Sequence, residues 1–202
     1  NDTSDMLMFN AEEAGIVVKF EKKDTPQKVN IKLFRQGPKD IRLNDTKISQ
    51  KELIGTLNTV IFCPEDLQLI KGTPSGRRRF LDMEISQTSA TYYHQLMQYN
   101  RLLQQRNAVL KEYRGKNTIP LEEWDLQLAD MASFIVKKRL ESLKKINLLI
   151  DLMNRKLTGG LENLTIGYEQ PYMDNGSLEY TKEGFYERIK AALPQDRHRL
   201  ST

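Results

Sequence analysis

The sequence predicts an α+β fold that combines a small antiparallel sheet with a long antiparallel helical hairpin. Three short runs near the start are rich in β-branched and aromatic residues, at 12–20, 29–35 and 40–43. From about Ser89 the apolar residues recur with the period of a helix. The chain therefore divides into a sheet-forming part and a helical part.

The first part is predicted to be a three-stranded meander. Turn-forming residues follow the strands at 24–26, 36–38 and 44–45. Ser49 is placed to cap a short helix, with Glu52 at the third helical position as in a capping box. A further buried strand is expected at 57–62, ending at Pro64 because proline has no amide to donate to a ladder.

Two heptad seams predict the helical hairpin. The first helix ends at Gly115, and the second runs from about 121 to 157. The heptad spacing of the second helix shifts by one residue between Ile135 and Leu143, where it passes Arg139. The short turn between them makes the helices antiparallel neighbours that project for about 40 Å. The first seam consists of Leu96, Tyr99, Leu103, Arg106, Leu110 and Tyr113; the second of Trp124, Leu128, Met131, Ile135, Leu143, Ile146, Ile150, Met153 and Leu157.

The C-terminal residues are predicted to return to the sheet. Gly159 and Gly160 end the second long helix, and 164–168 has the composition of a strand. A loop is expected at 171–177. Thr181 is then placed to cap a last helix that stops before Pro194.

The composition sets broad limits on function. The 202 residues carry a net charge of +4, which permits contact with nucleic acid without proving it. The one cysteine, Cys63, is expected to be a small buried apolar residue, and no apolar run is long enough to span a bilayer, so the cytoplasm is the simplest location. The chain starts without methionine, which suggests a piece of a longer protein.

One segment is more specific than the rest. Residues 62–82 read FCPEDLQLIKGTPSGRRRFLD, joining an apolar strand end, a Pro-Glu-Asp turn, a glycine and proline loop and three arginines. The segment resembles the RecF family of bacterial recombination mediators, whose ATPase heads are similar to those of SMC proteins. Two further matches to that family are QQRNAVL at 104–110 and GGLENLTI at 159–166.

The resemblance implies an architecture. Residues 1–87 would form the β-rich part of an ABC/SMC-like ATPase head, 88–160 a coiled-coil-like arm, and 161–202 a return strand and helix. The parent protein would bind ATP and magnesium, form a dimer with a second RecF head, and bind DNA, duplex or at gapped junctions. It would also help load RecA together with RecR and RecO.

Catalytic motifs are absent from this sequence. The glycines at 72 and 76 lack the Lys-Ser/Thr pair that grips a phosphate and its metal, and neither a signature motif nor a Walker B run is present. We therefore expect no catalytic residue, no bound cofactor and no turnover in this piece. His94 and His198 lie far apart without ligand spacing and are expected at the surface.

Glu65 and Asp66 allow two interpretations. Carboxylates after Pro64 suit the first turn of a helix, where they complement the helix dipole. The resemblance instead implies a place near the magnesium of a bound nucleotide. The sequence alone leaves both open.

Basic residues form the candidate DNA-binding set. Because successive helical side chains are about 100° apart, at least one of the three arginines should turn inward, with Asp82 or Glu84 as candidate partners. The lysines of the second long helix are expected beside 101–106 of the first, which would make one basic stripe along a DNA backbone, and Arg106 itself is expected to be partly buried and paired. A solvated helix, or an arm that docks RecR or a second head, would explain the same charges. The candidates are Lys71, Arg77, Arg78, Arg79, Arg101, Lys111, Arg114, Lys137, Lys138, Lys144 and Lys145.

Overall fold

The structure, a computed structural model, describes residues 3–114, 119–169 and 180–202. The chain forms two compact units, Asn1–Ile61 and Phe62–Thr202. The first unit contains the sheet and the second contains the long helices, so the fold class predicted from the sequence is confirmed. Segment 62–87 lies in the helical unit.

The sheet is an antiparallel meander of four strands in the order β1-β2-β3-β4. Its strands are β1 (Glu13–Lys22), β2 (Thr25–Phe34), β3 (Asp40–Leu43) and β4 (Thr46–Lys47). The three predicted strands are confirmed, and β4 adds a short edge. Val29, Leu33 and Ile41 are buried together with Leu7, which precedes β1, and form the small core of this unit.

Two tight turns set the register of the sheet. Lys23 and Asp24, between β1 and β2, both have positive φ, and so do Asn44 and Asp45, between β3 and β4. Two consecutive left-handed residues suit the twist of a hairpin, and asparagine and aspartate tolerate that conformation best. The first turn lies one residue before the predicted one, because Thr25 already pairs with Lys22.

A short helix, α1 (Gln50–Leu53), follows the sheet. The Ser49 side chain accepts the amide of Glu52 at 3.3 Å, and the Glu52 carboxylate accepts the amide of Ser49 at 2.7 Å. The predicted capping box is therefore confirmed. These hydrogen bonds, with Ser49 the largest cause, lower the pKa of the Glu52 carboxyl.

The buried strand predicted at 57–62 is wrong. Residues 57–62 belong to no strand of the sheet, and Val60 and Phe62 are 96% and 94% exposed. The apolar β-branched composition favours an extended backbone, but a strand also needs a neighbour to pair with. Among the described residues no strand forms a ladder with this segment, and the sequence pattern could not show that.

In its described residues the helical unit contains a 3-10 turn and five helices. They are the turn Pro64–Leu67, α2 (Gln68–Lys71), α3 (Pro74–Thr88), α4 (Ala90–Glu112), α5 (Glu122–Leu157) and α6 (Lys182–Arg199). The predicted loop around Gly72 is shorter than expected, because Thr73 caps α3 by accepting the amide of Gly76 at 3.3 Å. Gly72 is required there, since a Cβ would lie 2.4 Å from the Gln68 carbonyl oxygen.

The antiparallel hairpin of α4 and α5 is confirmed. Arg106, late in α4, contacts Asp125, early in α5, whereas Tyr92, early in α4, shares a core cluster with Ile135 and Leu143. Helix α5 is one continuous helix of 36 residues. Leu81 and Ile85 of α3 complete the cluster, so α3 packs against both arms of the hairpin.

The ends of the last elements differ from the prediction. Helix α5 ends at Gly159 and Gly160, which have positive φ as expected, but α6 continues through Pro194 to Arg199. Burial of Asp196 against the hairpin holds the last turn of α6 in place despite the amide that Pro194 lacks. The predicted helix stop at 115 and the loop at 171–177 lie outside the described residues.

The predicted strand at 164–168 is also wrong, because an asparagine side chain takes the place of a neighbouring strand. Asn147 donates its Nδ2 to the carbonyl of Ile166 at 2.9 Å, and its Oδ1 accepts the Ile166 amide at 2.8 Å. The segment is therefore extended and lies along α5 without a ladder. Among the described residues, no helix combines the length and apolarity needed to cross a bilayer.

Replacing Asn147 with alanine is expected to release this segment locally. Loss of two hydrogen bonds of about 1 kcal/mol each should raise the exchange rate of the Ile166 amide at least tenfold in hydrogen-exchange mass spectrometry. Asn154→Ala is the matched control, because Asn154 makes one 3.3 Å bond to Glu162 and does not contact Ile166. Equal exchange at Ile166 in both variants would contradict the assignment.

Candidate nucleic-acid interface

Arg106 is the centre of a buried ion-pair network. Its side chain has 0% exposure, its Nε donates to Asp125 at 2.6 Å, and its Nη1 donates to Asp196 at 2.7 Å and to Thr202 at 2.8 Å. The network joins α4, α5 and the end of α6. Burial raises the pKa of the Asp125 carboxyl, and the Arg106 guanidinium opposes that shift. The expectation that Arg106 is buried and paired is confirmed.

A second buried pair joins α3 to α5. Arg139 makes a bidentate contact with Asp82, through Nε at 2.7 Å and Nη2 at 2.8 Å, and its Nη1 donates to the Tyr168 hydroxyl at 2.9 Å. The Tyr92 hydroxyl also donates to Asp82. Burial, with this hydrogen bond, raises the pKa of the Tyr92 hydroxyl. The seam slip predicted at Arg139 therefore accommodates a buried guanidinium.

The three consecutive arginines at the start of α3 have different roles. Arg77 is exposed but hydrogen-bonded: its Nη1 donates to the carbonyls of Gly72 at 2.9 Å and Leu69 at 3.3 Å, which connects α2 to α3. The suggested pairing with Asp82 or Glu84 is wrong, because Arg139 already occupies Asp82. Arg78 and Arg79 are exposed, as is Lys71. No salt bridge of Arg78 or Arg79 is found within the described ranges.

The basic residues of the hairpin are exposed. Lys137, Lys144 and Lys145 have no ion pair within 4.0 Å in the part of the chain that the structure describes. Lys138 contacts Glu141 at 2.8 Å, a contact that lowers the pKa of the Glu141 carboxyl. On α4 the exposed candidates are Arg101, Lys111 and Arg114. Lys116 lies outside the described residues.

The register of the hairpin places the exposed lysines of α5 away from Arg101 of α4. With Arg106 opposite Asp125, position 101 of α4 lies opposite position 130 of α5. Lys137 is then about 10 Å further along the hairpin, and Lys144 about 20 Å, at a rise of 1.5 Å per residue. The predicted continuous stripe beside 101–106 is therefore wrong. The α5 lysines lie near the start of α4, where α3 packs.

The Glu65 and Asp66 carboxylates have different environments. The Asp66 Oδ2 accepts the amide of Cys63 at 2.8 Å, which is the capping role, whereas Glu65 is exposed. Cys63 is half-buried rather than fully buried, and burial, with the nearby carboxylates, raises the pKa of its thiol. Within the described ranges, no three His, Cys, Asp or Glu residues are grouped to hold a metal. A magnesium ion at Glu65 would therefore need further ligands from a nucleotide.

Sequence reasoning missed the two acidic partners of Arg106. Asp125 lies four residues after Leu121 and three before Leu128, both buried, so the heptad spacing marked it as a core position. Asp196 had no such signal, because Pro194 suggested that the helix had already ended. His94 and His198 are exposed, as expected.

Comparisons with known proteins agree with this architecture. No protein-family model matches the chain. The DNA replication and repair protein RecF of Alkaliphilus oremlandii is 38% identical over 202 residues, and that of Clostridium botulinum is 40% identical over 194 residues. These alignments cover 98% and 96% of this chain, but 55% and 53% of the relatives.

Solved structures give the same result. Two structures of the recombination mediator protein RecF in the RecFOR pathway, described as RecF-ATPrS and RecF-ATP, match the whole chain with TM-scores of 0.89 and 0.91. Both are 29% identical to it, and the chain covers 56% and 55% of them. These matches support the interpretation that the chain corresponds to a part of RecF. The chain spans about half the length of the RecF relatives it matches.

Proposed function

We propose that this chain is the part of a RecF-like recombination mediator that supplies the helical arm and a DNA-contacting surface. Its similarity to RecF relatives over nearly its whole length supports this role in DNA repair and replication restart. The whole protein would be an ABC-type ATPase of the cytoplasm that binds ATP and magnesium and dimerises. It would bind gapped DNA and act with RecR and RecO to load RecA.

One observation carries the proposal: exposed bases lie on α3 and in the middle of α5, whereas three acids of the helical unit form ion pairs inside it. Asp82, Asp125 and Asp196 are directed inward and neutralise Arg139 and Arg106. Arg78, Arg79, Lys137, Lys144 and Lys145 are exposed to solvent. A local group of exposed bases with few acids beside it attracts phosphate, and the acid next to the α5 lysines, Glu141, contacts Lys138.

The chemistry of this surface favours contacts with the backbone of a duplex. Arginine forks and lysine ammonium groups contact phosphate oxygens without reading the bases. Stacking on single strands needs exposed aromatic rings among the bases, but on α4 and α5 Tyr92 is fully buried and Trp124 is half-buried, and the exposed Phe62 precedes the basic helices. The proposed contact residues are the exposed members of the candidate set, with Arg77 helping to place its neighbours.

The division at residues 87 and 160 is part of the proposal. Segment 62–87 would connect the nucleotide-binding head to the arm, since Glu65 is exposed near its start and Asp82 is bound to Arg139 of α5 near its end. Glu65 is the proposed magnesium-proximal carboxylate. Asp66 would hold the turn through its bond to Cys63.

Reversing the charge of the α5 lysines tests DNA contact. We expect Lys137→Glu/Lys138→Glu/Lys144→Glu to weaken binding of a fluorescent duplex by about tenfold or more at low salt, and to reduce the salt dependence, because fewer counterions are released. Fluorescence anisotropy measures both effects. The matched control is Lys19→Glu/Lys32→Glu/Lys39→Glu in the sheet unit, where all three lysines are exposed. Equal losses of DNA affinity in both variants would show that the α5 lysines do not form a localised DNA-binding surface.

A second candidate function is protein docking, by RecR or a second RecF head. It is favoured by apolar side chains on the C-terminal half of α5, where Leu148 and Leu157 are 77% and 86% exposed and Leu149, Leu152 and Met153 are also exposed. Patches of this kind often mark interaction sites. If the triple lysine variant binds DNA as well as the wild type does, docking becomes the better account of the arm.

A further inference from the structure

The last turn of α6 carries three consecutive basic residues, Arg197, His198 and Arg199, and all three are exposed. The acid next to them, Asp196, is buried and directed at Arg106. No acidic residue follows between Arg197 and Thr202. The outer side of this turn therefore exposes basic side chains and no acidic one.

Contacts on α4 fix the position of this turn. The Thr202 amide donates to Asn107 Oδ1 at 2.9 Å, and Arg106 contacts both Asp196 and Thr202. Residues 196–202 therefore lie against α4 at positions 106 and 107. Lys111 is four residues after Asn107, so the two side chains share a face of α4. Lys111 is exposed, and Glu112, the nearest acid on α4, points about 100° away from it.

We infer that His198, Arg199 and Lys111 form a second phosphate-binding surface, here called the α6 basic end, which contacts the backbone of duplex DNA. This inference rests on the proposed function and adds residues of α6 to it. The α6 basic end lies near Asp125 on α5, and Asp125 is twelve residues before Lys137 on that helix. That separation is about 18 Å along the hairpin, or about five base pairs of duplex.

The test compares matched charge reversals in the full 202-residue chain. We expect Arg199→Glu/Lys111→Glu to weaken binding of a 20-base-pair duplex at least fivefold, and to lower the slope of log affinity against log salt by about 1 to 2. Lys19→Glu/Lys32→Glu, in the sheet unit, gives the same change in net charge and is expected to have a much smaller effect. Lys137→Glu/Lys144→Glu serves as the reference for the proposed surface.

Each result decides between the two surfaces. If only the α5 reference variant loses affinity, the α6 basic end is rejected and the proposed function stands. If none of the variants differs from the sheet control, both are rejected. Arg199→Gln, which removes charge without introducing an acid beside Asp196, repeats the test should the reversal loosen α6. An unchanged salt slope in Arg199→Gln with unaltered thermal unfolding would also overturn the inference.

Discussion

Replacing Arg106 with methionine is expected to lower the free energy of unfolding of the helical unit by about 3 to 5 kcal/mol. The change leaves two carboxylates, Asp125 and Asp196, buried at 4% and 5% exposure without their common partner. Methionine retains much of the volume, so the loss reflects charge and hydrogen bonding more than a cavity. Urea unfolding followed by Trp124 fluorescence measures it, because Trp124 is the only tryptophan and lies in α5.

Arg101→Met is the matched control. Arg101 lies on the same helix, is exposed and has no salt bridge in the described part of the chain, so its loss should cost less than about 0.5 kcal/mol. A triple variant, Arg106→Met with Asp125→Leu and Asp196→Leu, should recover much of the lost stability, because no charge then remains buried. An Arg106→Met protein as stable as Arg101→Met would contradict the network.

Replacing Arg139 with methionine is expected to cost about 3 kcal/mol. The Asp82 carboxylate would keep only the Tyr92 hydroxyl as a partner, and the Tyr168 hydroxyl would lose its hydrogen bond from α5. Since this pair joins α3 to α5, local opening should appear first in α3. Hydrogen exchange resolved along the chain should therefore show faster exchange at 81–86 than at 125–133.

Lys138→Met provides the comparison for Arg139. Lys138 is the preceding residue and its pair with Glu141 is partly exposed, so its removal should cost well under 1 kcal/mol. Tyr92→Phe tests the network from the other side, since it removes one hydrogen bond to Asp82 and keeps the ring. Uniform exchange in α3 and α5 of Arg139→Met would show that the pair does not hold α3 to the hairpin.

Local and periodic signals made much of the fold predictable. The hairpin turns at 24 and 44, the capping box at Ser49 and the continuous α5 follow from residue type and spacing alone. The two wrong strands, at 57–62 and 164–168, had suitable composition but needed a neighbour that the sequence could not supply. Asn147 provides hydrogen bonds to the second segment, and nothing in a β-strand pattern predicts that role.

The residues of the candidate surface could be predicted from the sequence, but their arrangement in space could not. The basic residues on α3, α4 and α5 could be identified because few acids lie beside them in sequence. Their grouping depends on the register of the hairpin, which is set by the contact of Arg106 with Asp125 and could not be read from the seams. The contribution of α6 depends on a helix continuing past Pro194, which a local rule argues against.

The salt dependence of duplex binding by the whole chain tests the central claim, that outward bases of the helical unit contact a phosphate backbone. With roughly four to six phosphate contacts, the logarithm of affinity should fall against the logarithm of salt with a slope of about −4 to −5. A duplex and a gapped duplex should bind more tightly than a single strand of equal length. A slope near zero, or binding that is equal in the lysine reversal variants and the wild type, would contradict the claim.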